Sequence, residues 1–572
     1  METSKQTQEL LATEVRKFGD AEAKVVYARA RSPDEFPKYY PPVDQSIRVE
    51  NGIVIESDAA VTLRDGTTIY VDIFRPEGAK DVPAIIAWSP YGKRVNWVAR
   101  DDIRAQAGTG ASGATKILFP ENVHSGYEMF EGPDPAYWCH HGYAVINPDP
   151  RGIGNSQGNI CLFGSQEAED CYDLIEWVAA RDWSNGKVGM QGNSWLAVMQ
   201  WFVAALRPPH LACIAPWSGL TDIYRSLVAR GGCPDAKFVG ETNSVCRGFR
   251  GFEDPLLNFR DKPLMDAYWE DKIPKVEDIE VPIYATANYN NFHNSTLDGF
   301  RRAGSRQKWL RVENTLHWPD YYEPRNLDDL RRFSDRYLRG IHNGWEYTPR
   351  VRLSVYDPGG VDVVDRPEKE WPLARTEFRP LYLNAESGTL SRTPSTSKSS
   401  ISYDTEQQGK AVFIHRFEED TELVGYWKLR LWVELKGAED LGVVVAIQKL
   451  DGNGELCKLP IYGQPHGGLS GIMRISHRAL DEKKSTPSEP YLSHKRAEPL
   501  EAGKVAPLEV PLWPLGMYWR KGEHLRVVVS SHFDRTGGGF WMSMFGPELP
   551  GKGELIIHTG GEFDSHLLVP VT

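Results

Sequence analysis

Several things are scarce in this chain, and each scarcity removes a class of protein. No window approaches the ~20 consecutive apolar residues of a membrane-spanning helix. The opening stretch METSKQTQELLATEVRKFGD is polar and charged where a secretory signal carries an apolar segment. Cysteine is sparse, with 7 residues, an odd count and no Cys-x-x-Cys pair. That usage is expected of reduced thiols, so a cytoplasmic location is the expectation. Metal and nucleotide signatures are missing as well. There is no His-Glu-x-x-His, His140-His141 and His293 show no ligand spacing, and Asp149-Pro-Arg-Gly-Ile-Gly-Asn-Ser is neither a dinucleotide fingerprint nor a phosphate loop. Positive charge is also short. Lys and Arg number 66 against 78 Asp and Glu, a net charge of −12, which makes nucleic acid and anionic membrane poor partners. The expected partner is a small-molecule substrate, with no metal and no cofactor; a homodimer stays open.

What is present reads as three parts. The first forty residues are polar and are expected to form one amphipathic helix and a loop. Val61 to Phe74 alternates apolar and polar residues around Asp65-Gly66, a hairpin signal. Short apolar strands follow at Ala84–Trp88, Ala144–Ile146, Lys187–Met190, Ile283–Ala287 and Trp309–Val312. Between them, Glu167–Ala180 places Ala168, Cys171, Tyr172, Ile175 and Val178 on one helical face. Strands alternating with helices predict a parallel α/β sheet covered on both faces. Residues 222–276 break that rhythm and read as an inserted helical cap. From about 350 the pattern is all-β: Leu429, Leu431, Val433 and Leu435 alternate with Arg430, Trp432, Glu434 and Lys436. Polar stretches at 387–402 and 481–489 read as loops. The expected organisation is a core over 1–221 and 277–349, a cap over 222–276 and a jelly-roll β-sandwich over 350–572.

The strongest chemical signal is Lys187-Val-Gly-Met-Gln-Gly-Asn-Ser-Trp-Leu-Ala. A short strand runs into Gly192-Asn193-Ser194, and a helix rich in apolar residues follows. Such a corner exposes Ser194 above the sheet edge as a nucleophile elbow. A serine that merely caps the helix is the competing reading. The parallel sheet around it favours the elbow.

Residues 166–202 resemble the cocaine esterase/X-prolyl dipeptidyl-peptidase group of α/β-hydrolases, the CocE/NonD or S15 family. The resemblance extends through Pro90-Tyr91-Gly92-Lys93, the segment Asp149 to Gly158, Ala215 to Arg225, and Phe333 to Gly340. It implies an α/β-hydrolase core, an inserted helical cap and a C-terminal jelly roll, the three parts already read from the residues. It also implies roles. Ser194 matches the nucleophile and His317 the general base. Tyr91 matches the tyrosine whose hydroxyl joins the backbone N–H of Trp195 in an oxyanion hole. The third triad member departs from the pattern. Where the family carries an aspartate, Thr286-Ala-Asn-Tyr-Asn-Asn-Phe-His-Asn places Asn290 or Asn291. Asp298, Glu313 or Asp320 are the candidate relocated carboxylates. The Gly expected three residues after the serine is Ala197.

The function this predicts is serine-dependent hydrolysis of an ester or amide through an acyl-enzyme. Three alternatives stay open. One is a repurposed site that runs a non-hydrolytic step in specialised metabolism, another an X-prolyl dipeptidyl peptidase. The third is a catalytically silent binding protein.

Overall fold

The structure is a computed structural model that describes residues 10–96, 108–109, 116–117, 125–289, 295–461, 464–466, 469–532 and 546–572. Its centre is a sheet of eleven strands. Seven of them run parallel: Ala144–Asp149, Val82–Ile86, Ser184–Asn193, Leu211–Trp217, Ile283–Asn288, Lys308–Glu313 and Val351–Val355, in that spatial order. Most of these strands are buried along their length because helices cover both faces, which is why they read as unbroken apolar runs. The hairpin expected at Asp65-Gly66 joins Ile53–Thr62 to Thr68–Pro76 and extends one edge. The helix Ser165–Ala179 buries Ala168, Cys171, Ile175 and Val178 of the expected face, while Tyr172 is only partly buried and Leu174 joins the core in addition.

Chain order produces the crevice. After Val82–Ile86, the chain adds Ala144–Asp149 on one side, then returns to lay Ser184–Asn193 on the other. At such a reversal the connections leave in opposite directions, and a cleft opens at the C-terminal strand ends.

Four expectations need correction. Residues 10–29 form a hairpin, Leu10–Phe18 with Ala21–Arg29, where a helix was expected. Gly19, at φ 60°, leads a two-residue turn, and Ala28 pairs onward with Phe252, so a distant strand overrides the local helical preference. Second, the core sheet continues past 349 into Val351–Val355 and Val363–Glu368, residues assigned above to the jelly roll. Third, the polar stretch 387–402 contains the strand Thr389–Ser391 and the start of Ser399–Asp404, paired to jelly-roll neighbours whose ladder groups they satisfy. Fourth, the insert 222–276 holds short strands, Ala229–Arg230, Cys233–Pro234 and Gly251–Glu253, beside its helices.

The second large sheet also has eleven strands, organised around the long strand Thr421–Lys436, whose alternation buries Leu429, Leu431, Val433 and Leu435. Core and jelly roll are joined through the backbone: Tyr356 N–H donates to Gly516 O and Tyr518 N–H to Tyr356 O, each at 2.9 Å. The insert also seats on the jelly roll. Cys233 packs with Val444 and Ile472, while Arg225 Nε donates to Leu492 O at 3.0 Å. Among the described residues, no helix is long and apolar enough to cross a membrane.

The seat leaves no room at Gly231, whose φ is +58° and whose added Cβ would lie 1.9 Å from Ile472 O. Gly231→Ala is therefore expected to lower stability by about 1–3 kcal/mol, read as a shift in the urea midpoint.

Candidate active site

The strand Ser184–Asn193 ends beside Trp217, and Ser194 N–H donates to Trp217 O at 2.9 Å. Ser194 itself has φ 56° and ψ −117°, a left-handed conformation costly for a residue with a Cβ. The helix Trp195–Ala205 starts immediately after it, buried on every side along almost its whole length. Ser194 makes no side-chain capping bond to that helix, so the capping role does not account for it. Two glycines permit the corner. Gly192 has φ 145°, and a Cβ there would meet Leu196 Cβ at 2.5 Å. A Cβ on Gly219 would meet Ala197 Cβ at 2.9 Å, so the missing side chain of Gly219 is what accommodates alanine at 197.

Tyr91 lies on the turn after Val82–Ile86, its ring stacked on Trp195 with centroids 6.2 Å apart. Its hydroxyl donates to Glu131 Oε2 at 2.9 Å. Burial, reinforced by the Glu131 charge, pushes the phenol well above its usual range, so Tyr91 is held as a donor. The turn is anchored by Lys93, whose N–H donates to Asp149 Oδ1 at 2.8 Å and whose buried ammonium pairs with Asp58, Asp72 and Asp149. Arg151 makes a bidentate pair with Asp170, 2.7 Å at each nitrogen. Asp149 and Arg151 thus fix loops beside the site.

His317 is buried and opens the short helix His317–Tyr322, on the loop after the strand Lys308–Glu313. Its carbonyl accepts from Asn193 Nδ2 at 2.7 Å, which ties the histidine loop to the residue before Ser194. Asn290 and Asn291 lie outside the described residues. The other acids have separate engagements. Asp298 pairs with Arg301 and Arg302 at 2.6 and 2.9 Å. Asp320 makes a buried bidentate pair with Arg311, at 2.9 and 2.5 Å, and accepts from Asn326. Glu313 accepts from Ser218 at 3.0 Å and Asn288 at 3.2 Å, and burial, with Asp320 nearby, pushes it well above the usual carboxylate range.

Two site residues escaped the sequence reading, Glu131 and Trp318. Glu131 is buried at φ 65°, accepts from Trp318 Nε1 at 2.7 Å, and offers its carbonyl to Asn193 N–H at 3.0 Å. Burial pushes its acid up to about 7, against hydrogen-bonding interactions with Trp318, Tyr91, the Ser194 hydroxyl and the Trp195 N–H. In sequence it precedes Gly-Pro-Asp and the helix Pro135–His140, so it reads as a turn acid before an N-cap.

A strained strand–serine–helix corner over a parallel sheet, with a tyrosine hydroxyl and a backbone N–H beside it, defines an α/β-hydrolase. A CocE/NonD family hydrolase from Staphylococcus aureus superposes with a TM-score of 0.84 at 33% identity, covering 93% of this chain and 99% of that one. The chain belongs to this CocE/NonD family and is a hydrolytic enzyme. Residues 65–247 match the X-Pro dipeptidyl-peptidase (S15 family) and residues 343–568 the X-Pro dipeptidyl-peptidase C-terminal non-catalytic domain. Cocaine esterase of Rhodococcus sp. is 24% identical across 91% of this chain and 99% of its own. A Xaa-Pro dipeptidyl-peptidase of Lactobacillus helveticus is 26% identical across 56% of this chain and 44% of its own.

Asp320→Asn leaves Arg311 buried without its charged partner. The expected loss of stability is about 3–5 kcal/mol, measured by denaturant unfolding. A loss of activity without that loss of stability would instead make Asp320 the partner of His317.

Proposed function

We propose that this enzyme hydrolyses an ester or amide of a small or medium-sized organic substrate through an acyl-enzyme on Ser194. The observation that supports it is convergence. The Ser194 hydroxyl, the Tyr91 hydroxyl and the Trp195 N–H all interact with one group in this structure, the Glu131 carboxyl. A substrate carbonyl oxygen placed there would have its carbon beside the serine. Ser194 Oγ attacks, His317 takes the proton, and the oxyanion is held by the Tyr91 hydroxyl and the Trp195 N–H. His317 then returns the proton to the leaving group, and water releases the acid by the same steps in reverse. With Asn290 or Asn291 at the acid position, the imidazolium lacks a charged partner, an exchange that costs about 10⁴ in turnover in the serine-protease triad. Slow turnover of simple esters is the corresponding expectation.

The test is covalent. Ser194→Ala is expected to abolish fluorophosphonate labelling and ester turnover while the unfolding transition survives. Undiminished labelling in that variant removes Ser194 from the mechanism.

Tyr91→Phe keeps the ring on Trp195 and removes one donor. Turnover is expected to fall by about 10²–10³ with little change in binding, read by separating kcat from KM. A change confined to KM would make Tyr91 a substrate contact only.

A further inference from the structure

The turn that carries Tyr91 is held by side chains that grip its main chain. Tyr91 N–H donates to Ser89 Oγ at 3.2 Å, and Lys93 N–H donates to Asp149 Oδ1 at 2.8 Å. The Tyr91 carbonyl accepts from the hydroxyl of Tyr40. Tyr40 comes from outside the central sheet, between the hairpin Leu10–Arg29 and the strand Ile47–Glu50. It is buried, and burial with the Asp149 charge pushes its phenol above the usual range, so it stays a donor.

Two separate turns leave room for its ring. Gly92 has φ +104°, and a Cβ there would lie 2.8 Å from Tyr40 Cε1. Gly154 has φ +55°, and a Cβ there would lie 3.1 Å from Tyr40 Cδ1. The segment of Tyr40 is tied down as well. Asn155 Nδ2 donates to Pro41 O at 2.8 Å, and Tyr40 N–H donates to Phe36 O at 3.2 Å. From the cap, the Arg247 guanidinium lies 4.0 Å from the centre of the Phe36 ring, while the Arg247 carbonyl accepts from Gly154 N–H at 2.9 Å. A tyrosine kept only for its bulk would need no acceptor on the turn that carries Tyr91.

We propose that Tyr40 is a positioning residue for the oxyanion hole, acting through the Tyr91 main chain. Its hydroxyl fixes the Tyr91 carbonyl and so the rotation of that peptide. The Tyr91 ring would otherwise carry a small error at the main chain outward into a larger displacement of its own hydroxyl. Oxyanion donors work over about 2.7–3.1 Å, and a misplacement of about 1 Å costs about 10² in rate. This inference rests on the acyl-enzyme reading above, in which the Tyr91 hydroxyl stabilises the oxyanion.

Tyr40→Phe keeps the ring between the two glycines and removes the hydroxyl. The experiment follows p-nitrophenyl acetate hydrolysis and fluorophosphonate labelling in the native enzyme, Tyr40→Phe, Tyr91→Phe and the double variant. In the native background Tyr40→Phe is expected to lower kcat by about 10- to 100-fold with little change in KM. The loss should not exceed that of Tyr91→Phe, because it passes through the same donor. In the Tyr91→Phe background the same exchange is expected to cost less than about twofold, the non-additivity of two residues that act as one. Asn155→Ala, which releases Pro41 beside Tyr40, is expected to follow the same pattern at smaller size.

A slow Tyr91→Phe beside a Tyr40→Phe of unchanged kcat overturns this inference alone, even where the urea midpoint of Tyr40→Phe falls. Equal losses from Tyr40→Phe in both backgrounds overturn it too, since that effect does not pass through Tyr91. If Tyr40→Phe does not fold, an Asn155→Ala loss that is equal in both backgrounds, or absent from both, overturns it equally. Full kcat in Tyr91→Phe removes the oxyanion role of Tyr91, and absence of labelling in the native enzyme removes the serine reading. This inference falls with either.

Discussion

One backbone corner governs the rest of the molecule. Ser194 adopts φ 56° and ψ −117°, a conformation that costs about 1–3 kcal/mol for a residue bearing a side chain. Such strain persists only where the surroundings over-determine it. Here they do: the bond from Ser194 to Trp217 and the bond from Asn193 to Glu131 clamp the backbone on both sides of the corner. Gly192 and Gly219 keep the approach clear, and the fully buried helix after the serine has no freedom to relax the turn. The parallel sheet brings the strand to this point, and the connections that leave on either side bring Tyr91 and His317.

The loops around the corner are located by polar contacts in addition to aromatic packing, in which Phe130 bridges Tyr91 and Trp318. Lys93 sits among Asp58, Asp72 and Asp149, with Arg94 completing the group. Buried ion clusters of this kind seldom add much net stability, because desolvation consumes the Coulomb gain. What they supply is position. Asp149 connects the turn carrying Tyr91 to the end of the neighbouring strand, and Asn193 connects the serine to the histidine loop. A hydrophobic contact would tolerate a shift of half an ångström at these places; a bond to a fixed backbone group does not.

Much of this was legible in sequence, for reasons that differ by element. The Asp65-Gly66 hairpin, the helix at 165–179 and the alternation at 429–436 each carry the period of a single buried face. The elbow was legible because glycine, serine and a long apolar helix fall in one order at the end of an apolar strand. The hairpin at 10–29 was not. Its Gly19-Asp20 turn is a genuine signal, but its helix-forming Glu and Lys residues argue the other way, and its partner strand lies in the cap. Val351–Val355 is a short apolar strand with the same pattern whichever sheet it joins; only pairing with Leu310–Val312 decides. Glu131 carries no motif at all. Its role depends on donors at positions 91, 195 and 318, and no spacing along the chain brings those together.

The pairing of Arg29 with Gly251 also has a consequence for biosynthesis. At about 5–20 residues per second, the ribosome needs roughly 10–40 s to travel from one to the other. Through that interval the hairpin Leu10–Arg29 presents an unsatisfied edge, and a bare edge is a template for pairing with other chains. Several charged residues lie on this element, among them Glu14, Arg16, Lys17, Glu22 and Lys24. In the native molecule Arg16 meets the buried Glu253 and Lys24 meets Asp261, both from the strand and helix that arrive later. The same charges that later bind the hairpin to the cap thus keep it from the wrong company while it waits.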